Sequence, residues 1–234
     1  MSVQQQMLLD LKPEQQPTLD NFVAGSSVEL VERLRMLSRT RDCEAIYLWG
    51  PSGCGKSHLL SATANATATC RSTLRPVTHL HGHEMGGDFA PTPGSLMAID
   101  DVQQLSPAAQ IALFRSFNSA RFLGLSLLLS GDQPPLRLDL REDLRTRIGQ
   151  TLIYEVQPLS DTEKRTALTR HAIERGMLMD AGVVQYLLRH GRRDLPSLMA
   201  MLDGLDRASL EQKRPPTLPL LRELMQTPLD LEHS

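Results

Sequence analysis

The segment Gly50-Pro51-Ser52-Gly53-Cys54-Gly55-Lys56-Ser57 constrains the fold of this chain more than any other feature. It satisfies the pattern G-x-x-x-x-G-K-[ST] at every specified position. Such a loop functions between a buried strand and a helix. Its glycines let successive backbone N–H groups converge on an anion, and the helix N-terminus adds its dipole. The flanking residues comply. Ala45-Ile46-Tyr47-Leu48-Trp49 is a short apolar run, predicted as the entering strand, and 57–69 is rich in Ala and Leu, predicted as the leaving helix. Lys56 is then placed to reach β and γ phosphates, and the Ser57 hydroxyl to ligate Mg²⁺.

Further elements follow from periodicity and punctuation. Residues 1–17 are Gln-rich and end in two prolines, which predicts an extended arm with little to bury. Ser26 with Glu29 has the capping-box spacing, and Leu30, Val31, Leu34 and Leu37 continue at helical spacing. Strands are predicted at 77–80, 96–99, 125–129 and 151–156, a loop at 86–94, and a helix over 107–121 opened by Pro107. From Ser160, whose capping-box partner is Glu163, only helical patterns remain, the last over 218–225. Alternating strands and helices followed by helices alone predict an α/β base with a parallel five-stranded sheet over 18–157 and a small all-helical lid over 158–234.

Composition narrows the function classes. The chain has 234 residues, 41% of them hydrophobic, enough for one large domain or two small ones. A net charge of −2 argues against a dedicated DNA-binding surface. Cys43, Cys54 and Cys70 lack metal-ligand spacing, and so low and odd a count suits a reducing cytosol. No apolar run approaches the ~18 residues of a membrane helix. The N-terminus lacks the basic-then-apolar order of a secretory signal, so a cytoplasmic protein with no membrane partner is expected.

A second element bears on the same chemistry. The apolar run Leu96-Met97-Ala98-Ile99 delivers Asp100-Asp101 at its end, about forty residues beyond the phosphate loop. In open α/β sheets ligands bind at the carboxyl ends of strands. Asp100 is placed to hold Mg²⁺ through its waters, and Asp101 to orient or polarise an attacking water.

Together the motifs resemble those of the AAA+ ATPases, in the subgroup of the bacterial initiator DnaA and its shorter homologue Hda. Trp49 through Ser57 with the following His58-Leu59-Leu60 looks like the DnaA-type loop, and Ile99-Asp100-Asp101-Val102-Gln103 like its acidic motif. Leu129-Ser130-Gly131-Asp132-Gln133-Pro134-Pro135 is similar to the sensor-1 region, which suggests Asp132 as a catalytic polar residue at a strand end. Leu144-Arg145-Thr146-Arg147 lies where the family carries its arginine finger, which would be Arg147. Arg193-Asp194-Leu195 lies at the sensor-2 position, so Arg193 would touch nucleotide from the lid. Gln157-Pro158-Leu159-Ser160-Asp161 and Leu205-Asp206-Arg207-Ala208-Ser209 match Hda segments. The chain ends soon after the lid, in an acidic stretch over 230–234, with no room for the C-terminal helix-turn-helix of DnaA. Gln6-Met7-Leu8-Leu9-Asp10-Leu11 resembles the hexapeptide that docks Hda and polymerases on the replication sliding clamp, with Gln6, Leu9 and Leu11 as the anchors. Asp10 departs from that pattern, where Pro is frequent.

The resemblance implies a regulator of replication initiation with DnaA-ATP and the DNA polymerase III sliding clamp (its beta subunit) as partners. It would carry ADP or ATP with Mg²⁺ on residues 50–58 and reach DNA through the clamp; a homodimer is left open. The alternative is a self-sufficient DnaA-like or helicase-loader ATPase acting directly on DNA. Because the loop and both aspartates are intact, intrinsic hydrolysis stays open. Other features have two readings. His79, His81 and His83 alternate beside Glu84, as a metal site or a polar strand end. Cys54 is an oxidisable thiol or a small filler. Arg141, Arg145 and Arg147 cluster as a subunit edge or a solvated face, and Trp49 reads as core.

Overall fold

The computed structural model describes residues 16–192 and 194–226. Residues from Gln16 to Pro158 form one compact unit, and the described residues from Leu159 onward form a second.

The first unit is built on a five-stranded sheet in the order β2-β3-β4-β1-β5. The strands are β1 (Ala45–Trp49), β2 (Val77–His81), β3 (Leu96–Asp100), β4 (Ser126–Gly131) and β5 (Leu152–Glu155), and every pairing is parallel. Side chains alternate across a strand, and the sequence places apolar residues on both faces of the central strands. Ile46, Leu48, Leu96, Ala98 and Leu128 pack on one face with α1 (Val28–Arg39) and α2 (Lys56–Thr69). Tyr47, Met97, Ile99, Leu127 and Leu129 pack on the other with α3 (Pro107–Leu123) and α4 (Glu142–Gly149). Because all strands run one way, the segments after β1, β3 and β4 leave from the same edge of the sheet, and this is what gathers the site.

The second unit is helical: α5 (Asp161–Glu174), α6 (Ala181–His190), α7 (Leu195–Gln212) and α8 (Leu218–Gln226). Its core includes Leu168, Val183, Leu187, Leu202, Leu205 and Leu221. The capping box at Ser160 is formed. The Ser160 hydroxyl accepts from the Glu163 N–H at 3.3 Å, and the Glu163 carboxylate accepts from the Ser160 N–H at 2.7 Å and from its hydroxyl at 2.6 Å. Ser160→Ala should therefore lower stability by ~1 kcal/mol. Urea unfolding of the variant against the parent checks this, and coincident curves would remove the cap from the account.

Several expectations shift. α1 begins one residue later than predicted: Ser27 occupies the N-cap and makes no side-chain cap hydrogen bond, so the Ser26–Glu29 box does not form. α3 runs two residues past 121, to Leu123, before Gly124 ends it in a left-handed conformation. α4 was not predicted; its apolar content reduces to Leu144 and Ile148, both buried, set among charged residues. Short 3₁₀ turns at Gly82–Glu84, Val102–Gln104 and Pro135–Arg137 were also missed, as turns of three residues have no periodicity to read.

Candidate functional site

The loop between β1 and α2 is shaped by close approaches that exclude side chains. A Cβ on Gly50 would lie 2.4 Å from the Val156 carbonyl oxygen, and one on Gly55 would lie 2.7 Å from the Phe22 ring, with the Gly55 backbone already at φ +105°. Gly53 is also left-handed, at φ 75°. Lys56 is buried at the base of the loop, and its ammonium donates to the carbonyls of Gly50 at 2.7 Å and Pro51 at 3.1 Å. α2 begins at Lys56, with Gly55 as its N-cap, so the first N–H groups of a 14-residue helix open into the loop. Pro51, Ser52 and Ser57 are exposed on its rim. Such a concavity, with one buried cation and a helix N-terminus, fits a polyphosphate.

Cys54 is 5% exposed, and burial pushes its thiol up, so it acts as a small filler rather than a reactive group. His58 follows the loop on α2. Its Nε2 lies 3.0 Å from the Thr18 carbonyl, its ring packs on Phe22 at 5.6 Å, and burial holds its pKa down. The segment 17–22 therefore lies along the start of α2, where Asn65 also donates to the Pro17 carbonyl at 3.4 Å. Sequence reasoning did not assign Phe22 to this site. Its signal was an aromatic residue heading the short apolar run Phe22-Val23-Ala24 before the first helix.

At the end of β3, Asp100 is 1% exposed. One of its carboxylate oxygens accepts from the Ser130 hydroxyl; the other, Oδ2, is buried without a hydrogen-bond partner. Ser130 also accepts from the Asp101 N–H at 3.0 Å. Asp101 holds a left-handed conformation at φ 55° that few non-glycine residues adopt. The amides of Gln103, at 3.0 Å, and Gln104, at 3.4 Å, donate to its carboxylate. An unpartnered buried carboxylate oxygen is costly unless a cation meets it, so the donor chemistry at Asp100 fits a divalent cation such as Mg²⁺. Ser130 is a positioning residue missed at the level of sequence, although it is the polar terminus of an apolar run.

The remaining predicted residues lie apart. Asp132 is exposed beyond β4 near Tyr47, whose phenol pKa is raised by burial and, secondarily, by that carboxylate. Arg147 is exposed in the last turn of α4, and its guanidinium donates to Asn118 on α3 at 2.8 Å. Arg141 is held by Asp143 at 2.8 Å. Gln6, Leu9, Leu11 and Arg193 lie outside the described residues. Of the alternating histidines, His81 is the one that reaches a carboxylate pair. Glu84 turns away and accepts from the His81 N–H at 2.7 Å. Among the described residues no helix is long and apolar enough to cross a membrane.

Comparison with known proteins agrees with this architecture. Residues 161–225 match the family model described as Hda, lid domain. Domain III of the replication initiation protein DnaA from Thermotoga maritima superposes with a TM-score of 0.78 at 18% identity, covering 91% of this chain and 97% of that one. AMPPCP-bound DnaA from Aquifex aeolicus gives 0.65 at 22% identity, covering 88% and 71%. A RuvB variant from Thermotoga maritima gives 0.71 at 16%, covering 90% and 71%. These structural likenesses are of fold. The chain thus combines a DnaA-like fold with a segment, 161–225, that is similar to the lid domain of Hda.

Proposed function

We propose that this chain, carrying ADP with Mg²⁺ and tethered through its N-terminal arm to the sliding clamp on DNA, stimulates hydrolysis of the ATP bound to DnaA. The observation that carries the reading is an Hda-type lid on a DnaA-like phosphate site. The Aquifex aeolicus relative was solved with AMPPCP, which supports an adenine nucleotide here. Residues 50–58 would cradle the phosphates. Lys56 would exchange its bonds to the Gly50 and Pro51 carbonyls for bonds to phosphate oxygens. Ser57 and Asp100 would hold Mg²⁺, and Arg193 would reach the nucleotide from the lid. The ion, when bound, would lower the electrostatic cost of phosphate charge. Arg147 is turned outward and oriented by Asn118, and it would enter the nucleotide site of DnaA. ADP would act as a structural ligand.

A second reading rests on the completeness of the site: Lys56, Ser57, Asp100 and Asp101 are all present, with Asp101 fixed by Ser130 and two glutamines. That set suits a self-sufficient ATPase, in which Asp101 would polarise the attacking water and Asp132 would sense the γ phosphate. Mixing DnaA-ATP, clamp-loaded DNA and this chain separates the two. Faster loss of the ATP held by DnaA supports the first reading; turnover by this chain alone, independent of clamp and DnaA, supports the second.

The clamp contact has its own test. Replacing Gln6, Leu9 and Leu11 together by Ala should abolish clamp binding and leave nucleotide affinity intact. Each buried Leu contributes ~1.5–3 kcal/mol, so the loss should exceed tenfold. A calorimetric titration with unchanged clamp affinity would reject the assignment.

A further inference from the structure

The end of β2 is built against the acidic pair. His81 is the register partner of Asp100 in the β2–β3 ladder, so the two side chains leave the same face of the sheet. That face is also the side of Leu96 and Ala98, on which α2 packs. The turn after His81 is possible only with glycine: a Cβ on Gly82 would lie 2.4 Å from the Asp101 carbonyl oxygen. As a result, one ligand atom each from His81, Asp100 and Asp101 lies within 4.8 Å of the others.

His81 Nδ1 stands 3.9 Å from Asp100 Oδ2. That is too long for a hydrogen bond. It is a fitting separation for two ligands on one ion with bonds of ~2.0–2.2 Å. Oδ2 is also the buried oxygen without a hydrogen-bond partner, so it independently points to a cation at this place. The His81 ring stacks on His83 at 5.7 Å with the planes 21° apart, which limits its rotation.

We propose that His81, Asp100 and Asp101 form, in the nucleotide-free chain, a mixed imidazole–carboxylate site for a divalent transition-metal ion of the Mn²⁺ or Zn²⁺ type. Mg²⁺ demands oxygen ligands and keeps its waters, so an imidazole offers it little. Mn²⁺, Co²⁺ and Zn²⁺ accept imidazole nitrogen, and their affinity for such sites rises in that order. The inference deepens the reading of Asp100 as the carboxylate of the nucleotide-associated ion and rests on it. The His81 side chain is half exposed, which leaves coordination positions open toward water or phosphate.

The test uses the full chain titrated with Mn²⁺ without nucleotide, followed by pulsed electron paramagnetic resonance. Coupling of the Mn²⁺ electron spin to an imidazole ¹⁴N is expected. His81→Gln should lose that coupling and bind Mn²⁺ at least ~10-fold more weakly, with Mg²⁺ affinity unchanged, while His79→Gln keeps both. Absence of nitrogen coupling in the parent, or parental Mn²⁺ affinity in His81→Gln, would overturn the proposal. So would parental Mn²⁺ affinity in Asp100→Asn. An Asp100→Asn protein that loses Mn²⁺ yet binds Mg²⁺–nucleotide like the parent would support the imidazole site and remove Asp100 from the nucleotide reading.

Discussion

Arg147→Ala should retain nucleotide and clamp binding and yet lose the stimulation of DnaA-ATP hydrolysis. An arginine finger acts on charge that develops in the transition state of a neighbouring site, and is worth ~10³–10⁵ in rate. The position of Arg147 suits such a role. It is exposed at the end of α4, outside the core formed by Leu144 and Ile148, so its removal leaves packing undisturbed. Its one hydrogen-bonding anchor among the described contacts is Asn118 at 2.8 Å. Asn118→Ala should therefore lower stimulation by less than Arg147→Ala, since a mobile guanidinium can still reach its target. Single-turnover hydrolysis on clamp-loaded DNA measures both. Full stimulation by Arg147→Ala would exclude it as the trans-acting group.

Lys56→Ala should cut by about half or more the rise in melting temperature that nucleotide gives the parent. A hydrogen bond to a charged group is worth ~1.5–3 kcal/mol net, which corresponds to a ~10–150-fold weaker complex. At nucleotide one-hundredfold above Kd the parent gains ~2.7 kcal/mol, of which the variant would keep ~0.3–1.4 kcal/mol. Lys56 is also buried and caps two loop carbonyls, so Lys56→Ala disturbs the loop itself. Lys56→Met keeps the apolar stem without the charge and should show the same loss. If nucleotide raised the melting temperature of both variants as it does the parent, this loop would not be the nucleotide site.

Much of the loop's geometry could be read from the sequence because a tight strand-to-helix turn of this pattern fixes both residue types and spacing. The glycines at 50, 53 and 55 are required by close approach or left-handed backbone, and Lys56 by charge, so the loop appears as a contiguous pattern. The strands were legible for a related reason: a parallel sheet covered on both faces needs continuous apolar runs, such as 96–99 and 127–129. What escaped were contacts set by register and by turns. Ser130 meets Asp100 across thirty positions of chain, and His81 meets it across nineteen, through strand pairings that single-sequence periodicity does not encode. α4 escaped because two buried residues in eight leave no stripe to recognise. The Ser26–Glu29 box failed because the helix starts at Val28, and a shift of one residue removes both reciprocal bonds.

The central claim is that this chain acts on ATP held by another protein. The most direct measurement loads DnaA with γ-labelled ATP and this chain with unlabelled ADP, then follows label release with and without clamp on DNA. The account predicts release that requires this chain, DNA-loaded clamp and Arg147 together. Label release at the same rate without this chain, or with Arg147→Ala in its place, would contradict it.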